Sequence, residues 1–156
     1  SQSEILQMLI VMAAVITAVI YFGERRIYGN HIYPVELKNG ERCIRLHAYW
    51  DSGNQLADPY TGQEINILSQ AVAGKIFSGE KNLIRFVPYR SLGEKSGLIA
   101  VTNVDEMIIF QGKRAVKIAH AAIGAADKML FDGKEYEMIL NASSIMPQGS
   151  KMENKN

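Results

Sequence analysis

From Ile5 to Phe22 the chain reads ILQMLIVMAAVITAVIYF, an 18-residue stretch without a charge in which only Gln7 and Thr17 are polar. At about 1.5 Å per residue it reaches ~27 Å, near the ~30 Å thickness of a bilayer's hydrocarbon, with Tyr21 where an interfacial aromatic sits. A cleaved export signal carries basic residues ahead of its apolar run. Here only Glu4 precedes it, while Arg25 and Arg26 follow. The pattern predicts one transmembrane helix with a basic flank over residues 1–26, its arginine end in the cytoplasm. The chain starts at Ser1 without an initiator Met, so residues 1–4 are read as the continuation of an upstream segment.

After Ile27 the period shortens to that of strands. IYPVELKNGERCIRLHAYW (32–50) places two β-forming runs around Asn39-Gly40, a strong hairpin signal. The second run alternates Ile44, Leu46 and Ala48 with Cys43, Arg45, His47 and Tyr49. NQLADPYTG (54–62) is turn chemistry, Glu64 to Leu68 reads as a strand, and Ser69 is placed to cap a helix through Val72, Ala73, Ile76 and Phe77. Leu83–Tyr89 and Leu98–Val101 form two β-rich runs joined by RSLGEKSG. Glu106–Phe110 pairs with Lys113–Ile118 across Gln111-Gly112, AAIGAA (121–126) follows, and a last hairpin turns at Asp132-Gly133 between Met129–Phe131 and Glu135–Leu140. About eight short strands with glycine turns predict a mostly β domain over 27–146, a closed or partly closed barrel. Residues 147–156 lack apolar content and are expected to be a disordered tail.

Seventeen Lys and Arg against sixteen Asp and Glu leave a charge of +1, which provides no field to hold nucleic-acid phosphates. One cysteine, Cys43, makes no intrachain disulfide and no thiolate zinc cluster. His31 and His120 have no Cys, His or carboxylate at ligand spacing, so neither a metal nor another cofactor is expected. Cys43 and His47 lie four strand positions apart, ~13 Å, too far for a thiol dyad. Ser52 lacks the G-x-S-x-G setting of a serine hydrolase.

The chemistry concentrates at Asp51-Ser52-Gly53, where an apolar strand runs into a tight turn. A carboxylate there is rigidly presented, and glycine lets a second backbone approach. Aspartic peptidases use this arrangement with two carboxylates sharing one proton, one activating water while the other protonates the scissile carbonyl oxygen. The chain holds one such triplet, so a peptidolytic site requires a symmetric homodimer that puts two copies of Asp51 on its two-fold axis. Asp58, beside Pro59, reads as a turn former. Arg85 and Arg90 flank the loop after Tyr89, where solvated arginines are the ordinary reading and contact with acidic substrate residues the sharper one.

The order of strand, Asp51-Ser52-Gly53, glycine-containing hairpin and apolar-apolar-glycine element (Ala122-Ile123-Gly124) resembles the retroviral-type aspartic peptidase subunit. DSGNQLADPYTGQEINIL (51–68), RFVPYRSLGEKSGLIAV (85–101) and the upstream apolar helix are similar to the sporulation sigma-E factor processing peptidases, over nearly the whole region after the helix. The resemblance implies a retropepsin-like closed barrel behind a transmembrane helix, the C-terminal part of a multi-spanning protein. Asp51 becomes the catalytic aspartate, supported by Ser52, Gly53, Asn54, Ile123 and Gly124. Ser91, Leu92, Gly93 and Gly97 belong to a flap over the substrate. Asn54 departs from the alanine of viral enzymes and agrees with the sporulation family. It also implies a sigma factor precursor as substrate, a forespore-secreted activator as partner, and a place in the sporulation septum on the mother-cell side. The competing reading is a noncatalytic β-barrel interaction module on a membrane tether, in which Asp51 serves only its turn.

Overall fold

The computed structural model describes residues 1–29, 31–78, 82–90 and 96–145. The chain divides into two compact units, Ser1–Asn30 and His31–Asn156.

The first unit is helix α1 (Gln2–Gly29). Its segment Gln2–Tyr21 has a mean hydropathy of 2.2 and none of it is buried, so by length and composition it can cross a membrane. A helix that is apolar all round is stable only where something apolar covers it. Its Thr17 hydroxyl donates to Ala13 O at 2.8 Å, which satisfies the hydroxyl within the helix itself.

The second unit is one sheet with a short helix. Its elements are β1 (Ile32–Asn39), β2 (Arg42–Trp50), β3 (Ile65–Ser69), α2 (Gln70–Ile76), β4 (Arg85–Tyr89), β5 (Gly97–Asn103), β6 (Glu106–Gln111), β7 (Arg114–Ala119), β8 (Ala122–Ala126) and β9 (Met138–Leu140), with a 3-10 turn at Lys128–Phe131. The hairpin signals at Asn39-Gly40 and Gln111-Gly112 hold. Gly40 and Gly112 take φ of 57° and 61° and turn β1 into β2 and β6 into β7, conformations glycine adopts without a Cβ penalty. Ser69 does not cap α2 with its side chain. It ends β3, and its N–H donates to Glu137 O at 2.9 Å.

The sheet runs β4-β5-β8-β3-β9-β2-β1-β6-β7 and is not closed into a barrel. Among the described residues β4 and β7 are its edges, and both carry features that discourage further pairing. Pro88 removes a donor from β4, and the charged, exposed Arg114 and Lys117 stud β7.

The expected hairpin at Asp132-Gly133 is absent. Gly133 does turn the chain with φ 68°, but Lys128–Phe131 coils into the 3-10 turn, whose first free N–H, that of Met129, is taken by Asp127 Oδ1 at 2.8 Å. Beyond it β9 lies between β2, to which it is parallel, and β3, to which it is antiparallel. All three β9 residues are buried. A strand apolar at successive positions needs cover on both faces, which the middle of a sheet supplies and an exposed hairpin does not.

The main core gathers Val35, Leu37, Leu46, Met107, Met138 and Leu140 with α2 residues Ala73 and Ile76. A second cluster joins Ile65, Val87, Ile99, Val101 and Ala122. Gly124 lets that cluster close, because a Cβ there would stand 2.7 Å from Ile99 Cδ1 and 3.2 Å from Ile65 Cγ2.

Candidate active site

Strand β2 delivers its last residue, Trp50, opposite Leu140 of β9, and the next N–H, that of Asp51, reaches Leu140 O at 3.5 Å. The backbone then turns, with Asn54 N–H donating to Asp51 O at 3.0 Å. Gly53 N–H donates to Asp51 Oδ1 at 2.8 Å, so the carboxylate is oriented by its own turn. A Cβ on Gly53 would press on that same oxygen at 3.2 Å. Asp51 is half-buried, and Ser52 and Gly53 are exposed, which leaves a fixed but accessible carboxylate at the end of a central strand.

The turn rests on the residues that follow β9. Ala142 N–H donates to Asn54 O at 2.8 Å, and the Trp50 indole N–H donates to Ala142 O at 3.1 Å. Asn54 is buried, its Nδ2 donating to Ile65 O at 3.3 Å and its Oδ1 accepting from Leu56 N–H at 3.2 Å. Asn141 Nδ2 donates to Leu56 O at 2.9 Å and Ile65 O at 3.3 Å. Asn66 Oδ1 accepts from Asn141 N–H and from Ser144 Oγ, each at 2.9 Å.

Ile123 and Gly124 make none of these hydrogen bonds, although Ile123 pairs with Asn66 across the β3/β8 ladder. They sit on β8, and both β3 and β9 stand between β8 and the Asp51 strand. The apolar element that flanks the turn is Met138-Ile139-Leu140 followed by Asn141, a central strand rather than one arm of the expected hairpin. Its only signal was an apolar run ended abruptly by Asn-Ala-Ser-Ser.

Ser91, Leu92 and Gly93 lie outside the described residues. Gly97 begins β5 opposite Tyr89, whose ring occupies the space a Cβ would need, 2.8 Å away. Arg85 is half-buried on β4. It pairs with Asp58, which is fully buried, while Arg90 is exposed.

An aromatic group borders the site. Tyr49, two residues before Asp51, stacks on Tyr136 with centroids 5.2 Å apart and planes 20° from parallel, and Phe131 meets Tyr136 edge-on at 6.2 Å. Burial, with the charges of Tyr49 and Asp51, pushes the Tyr136 phenol up from its ordinary value. Cys43 and His47 are both exposed on β2. Desolvation under its neighbours, with the Glu36 carboxylate beside it, pushes the Cys43 thiol up, the opposite of an activated thiolate. Among the described residues no group of three His, Cys, Asp or Glu could hold a metal ion.

The family model described as Sporulation factor SpoIIGA (Peptidase_U4) matches residues 2–144. The chain belongs to the SpoIIGA peptidase family. It is 24% identical over 143 residues to the sporulation sigma-E factor-processing peptidase of Priestia megaterium, covering 78% of this chain and 47% of that protein. To the probable sporulation sigma-E factor-processing peptidase of Clostridium acetobutylicum it is 22% identical over 125 residues, 80% of this chain and 46% of the relative. To the putative sporulation sigma factor-processing peptidase of Bacillus thuringiensis subsp. kurstaki it is 22% identical over 144 residues, 79% of this chain and 89% of the relative. The chain thus spans about half the length of the first two SpoIIGA relatives. No solved structure matches it.

Proposed function

We propose that the chain is the catalytic part of a membrane-anchored aspartic endopeptidase, active as a homodimer, that shortens a sporulation sigma factor precursor by removing its N-terminal segment. The observation that carries this reading is the Asp51 carboxylate, half-buried at the end of a central strand and oriented by Gly53 N–H at 2.8 Å. Membership in the SpoIIGA family and the sigma-E factor processing for which the relatives are named supply the substrate class. Residues 1–26 act as the anchor and its basic flank, and residues 27–146 as a retropepsin-like subunit whose sheet stays open at its edges. Residues 147–156, expected from the sequence to be a tail, lie outside the described residues.

In this reading two copies of Asp51 face each other across the dimer axis and share one proton. The ionised copy takes a proton from water as its oxygen attacks the scissile carbonyl carbon. The protonated copy gives its proton to the carbonyl oxygen, forming a neutral gem-diol. Collapse breaks the C–N bond as a proton passes to the leaving nitrogen, and the pair is left sharing one proton again. Ser52 grips across the dimer. An extended peptide pairs as an added strand and loses water. A forespore-secreted activator acts through the membrane part, at the mother-cell face of the septum.

The noncatalytic module reading draws on one feature, the exposed apolar side chains Leu83, Phe86 and Leu98 around the β4/β5 hairpin. Asp51→Asn separates the two. Co-expressed with the precursor, it abolishes shortening under the peptidase reading, whereas under the module reading the chain shortens nothing and Asp51→Asn leaves partner binding intact.

A further inference from the structure

We propose that Asn141 is a positioning residue that sets where the Asp51 carboxylate stands. The inference rests on the peptidase reading above and adds to it a residue outside the Asp-Ser-Gly turn.

The turn from Asp51 to Leu56 has left the sheet and has no ladder of its own, so its backbone groups need partners from elsewhere. Asn141 supplies one of them, to Leu56 O, which also accepts from Ile65 N–H at 2.9 Å, while making every bond its side chain can make. Nδ2 donates twice, to Leu56 O and Ile65 O, and Oδ1 accepts twice, from Ser143 N–H at 3.1 Å and Ser143 Oγ at 2.7 Å. Its own N–H is held by Asn66. An amide only 2% exposed with all four bonding positions used has a single orientation. It therefore fixes the start of residues 141–144 relative to β3.

From there two backbone rungs lead to the acid. Ala142 N–H holds Asn54 O, and Asn54 N–H holds Asp51 O. The Trp50 indole, one residue before Asp51, is tied to the same Ala142. Loss of the Asn141 amide leaves Leu56 O to Ile65 N–H alone and Ile65 O to Asn54 Nδ2, and removes the acceptor that orients the exposed Ser143, so the strap is no longer held to one position. Each copy in a dimer carries the same strap, so a shift displaces both carboxylates. Two acids that share a proton tolerate little of this, since a misplacement of about 1 Å at a reacting group costs ~100-fold in rate.

The test uses the full chain, purified in detergent, with a sigma factor precursor as substrate. Asn141→Ala is compared with Ile145→Ala, a buried residue of the same segment outside the network. Rates are expressed per folded copy, from circular dichroism and size exclusion. Asn141→Ala is expected to lower kcat by about 100-fold with KM held within about twofold, and to narrow the pH profile. Ile145→Ala lowers the folded fraction and leaves kcat per folded copy unchanged. Equal behaviour of the two variants, or an unchanged kcat in Asn141→Ala, overturns the inference.

Where Asn141→Ala does not fold, Ser144→Ala, which removes only the Oγ bond to Asn66, is measured in the same way. A severalfold loss of kcat supports the inference and an unchanged kcat overturns it. Asp51→Asn runs beside them. Cleavage that survives in Asp51→Asn overturns the peptidase reading itself. Cleavage lost there but intact in Asn141→Ala overturns only the role given to Asn141.

Discussion

Arg85 Nε donates to Asp58 Oδ2 at 2.5 Å, joining β4 to a carboxylate that water does not reach. Tyr60 N–H holds the other oxygen at 2.9 Å, and Arg85 passes on through its Nη1 to Asn103 at 2.6 Å. This clamp closes the loop that begins at Asp51. The Tyr60 N–H first and the Arg85 guanidinium second hold the Asp58 carboxyl below its ordinary range, against burial, which pushes it up. A carboxyl whose folded value is depressed contributes stability that is fully present above its unfolded value, near pH 4, and is lost as pH falls through the lower folded value. Thermal unfolding followed from pH 7 to pH 2 should therefore show an acid limb that is reduced in Asp58→Asn. Arg85→Ala should lower Tm by several degrees at pH 7 and by much less in acid, where Asp58 is protonated; an equal loss at both ends would rule out the charge pair.

Gly124→Ala brings a methyl into Ile99 Cδ1 at 2.7 Å and Ile65 Cγ2 at 3.2 Å. The expected cost is about 1 kcal/mol, because the end of the Ile99 side chain can move and the Ile65 branch has less room. Ile99→Val removes Cδ1, so the double variant should be more stable than the two single losses predict. A urea double-mutant cycle checks this, and strict additivity contradicts it.

His120 has φ 51°, and its carbonyl accepts from Gln63 Nε2 and Asn103 Nδ2, both at 2.6 Å. The backbone matters at this turn and the exposed imidazole does not. His120→Gly should be tolerated, whereas His120→Val, with a branched Cβ in the left-handed region, should lose about 1–2 kcal/mol. Both should retain cleavage per folded copy, and a loss of cleavage in a stable His120→Gly chain would give the imidazole a role.

What was legible in the sequence was what depends on neighbours along the chain. Asn39-Gly40 and Gln111-Gly112 specify their turns by local backbone chemistry, and an uncharged 18-residue stretch before Arg25 specifies α1 by length. Asp51 stood out because a strand ending in Asp-Ser-Gly is unusual within a few residues. Strand β9 was not legible as a central strand, since its partners β2 and β3 are set by packing over some seventy to ninety residues. Ala122-Ile123-Gly124 carried a true signal of close backbone approach, but the approach is to Ile99 and Ile65 rather than to the Asp51 turn. Asn141 and Arg85 were hidden for the same reason: a buried polar side chain is identified by its partners, and Leu56, Ile65 and Asp58 lie far from them in sequence.

The central claim, that each catalytic unit needs an Asp51 from two chains, is tested most directly by mixing. Full-length wild type and Asp51→Asn chains, separately tagged, are co-expressed with the precursor at several ratios, and shortening is measured per wild-type copy. If the two carboxylates work as a pair, shortening per wild-type copy falls in proportion to the wild-type share, to about half at equal amounts, because mixed dimers are inactive. A rate per wild-type copy that stays constant at every ratio, with mixed dimers demonstrably formed, would contradict it.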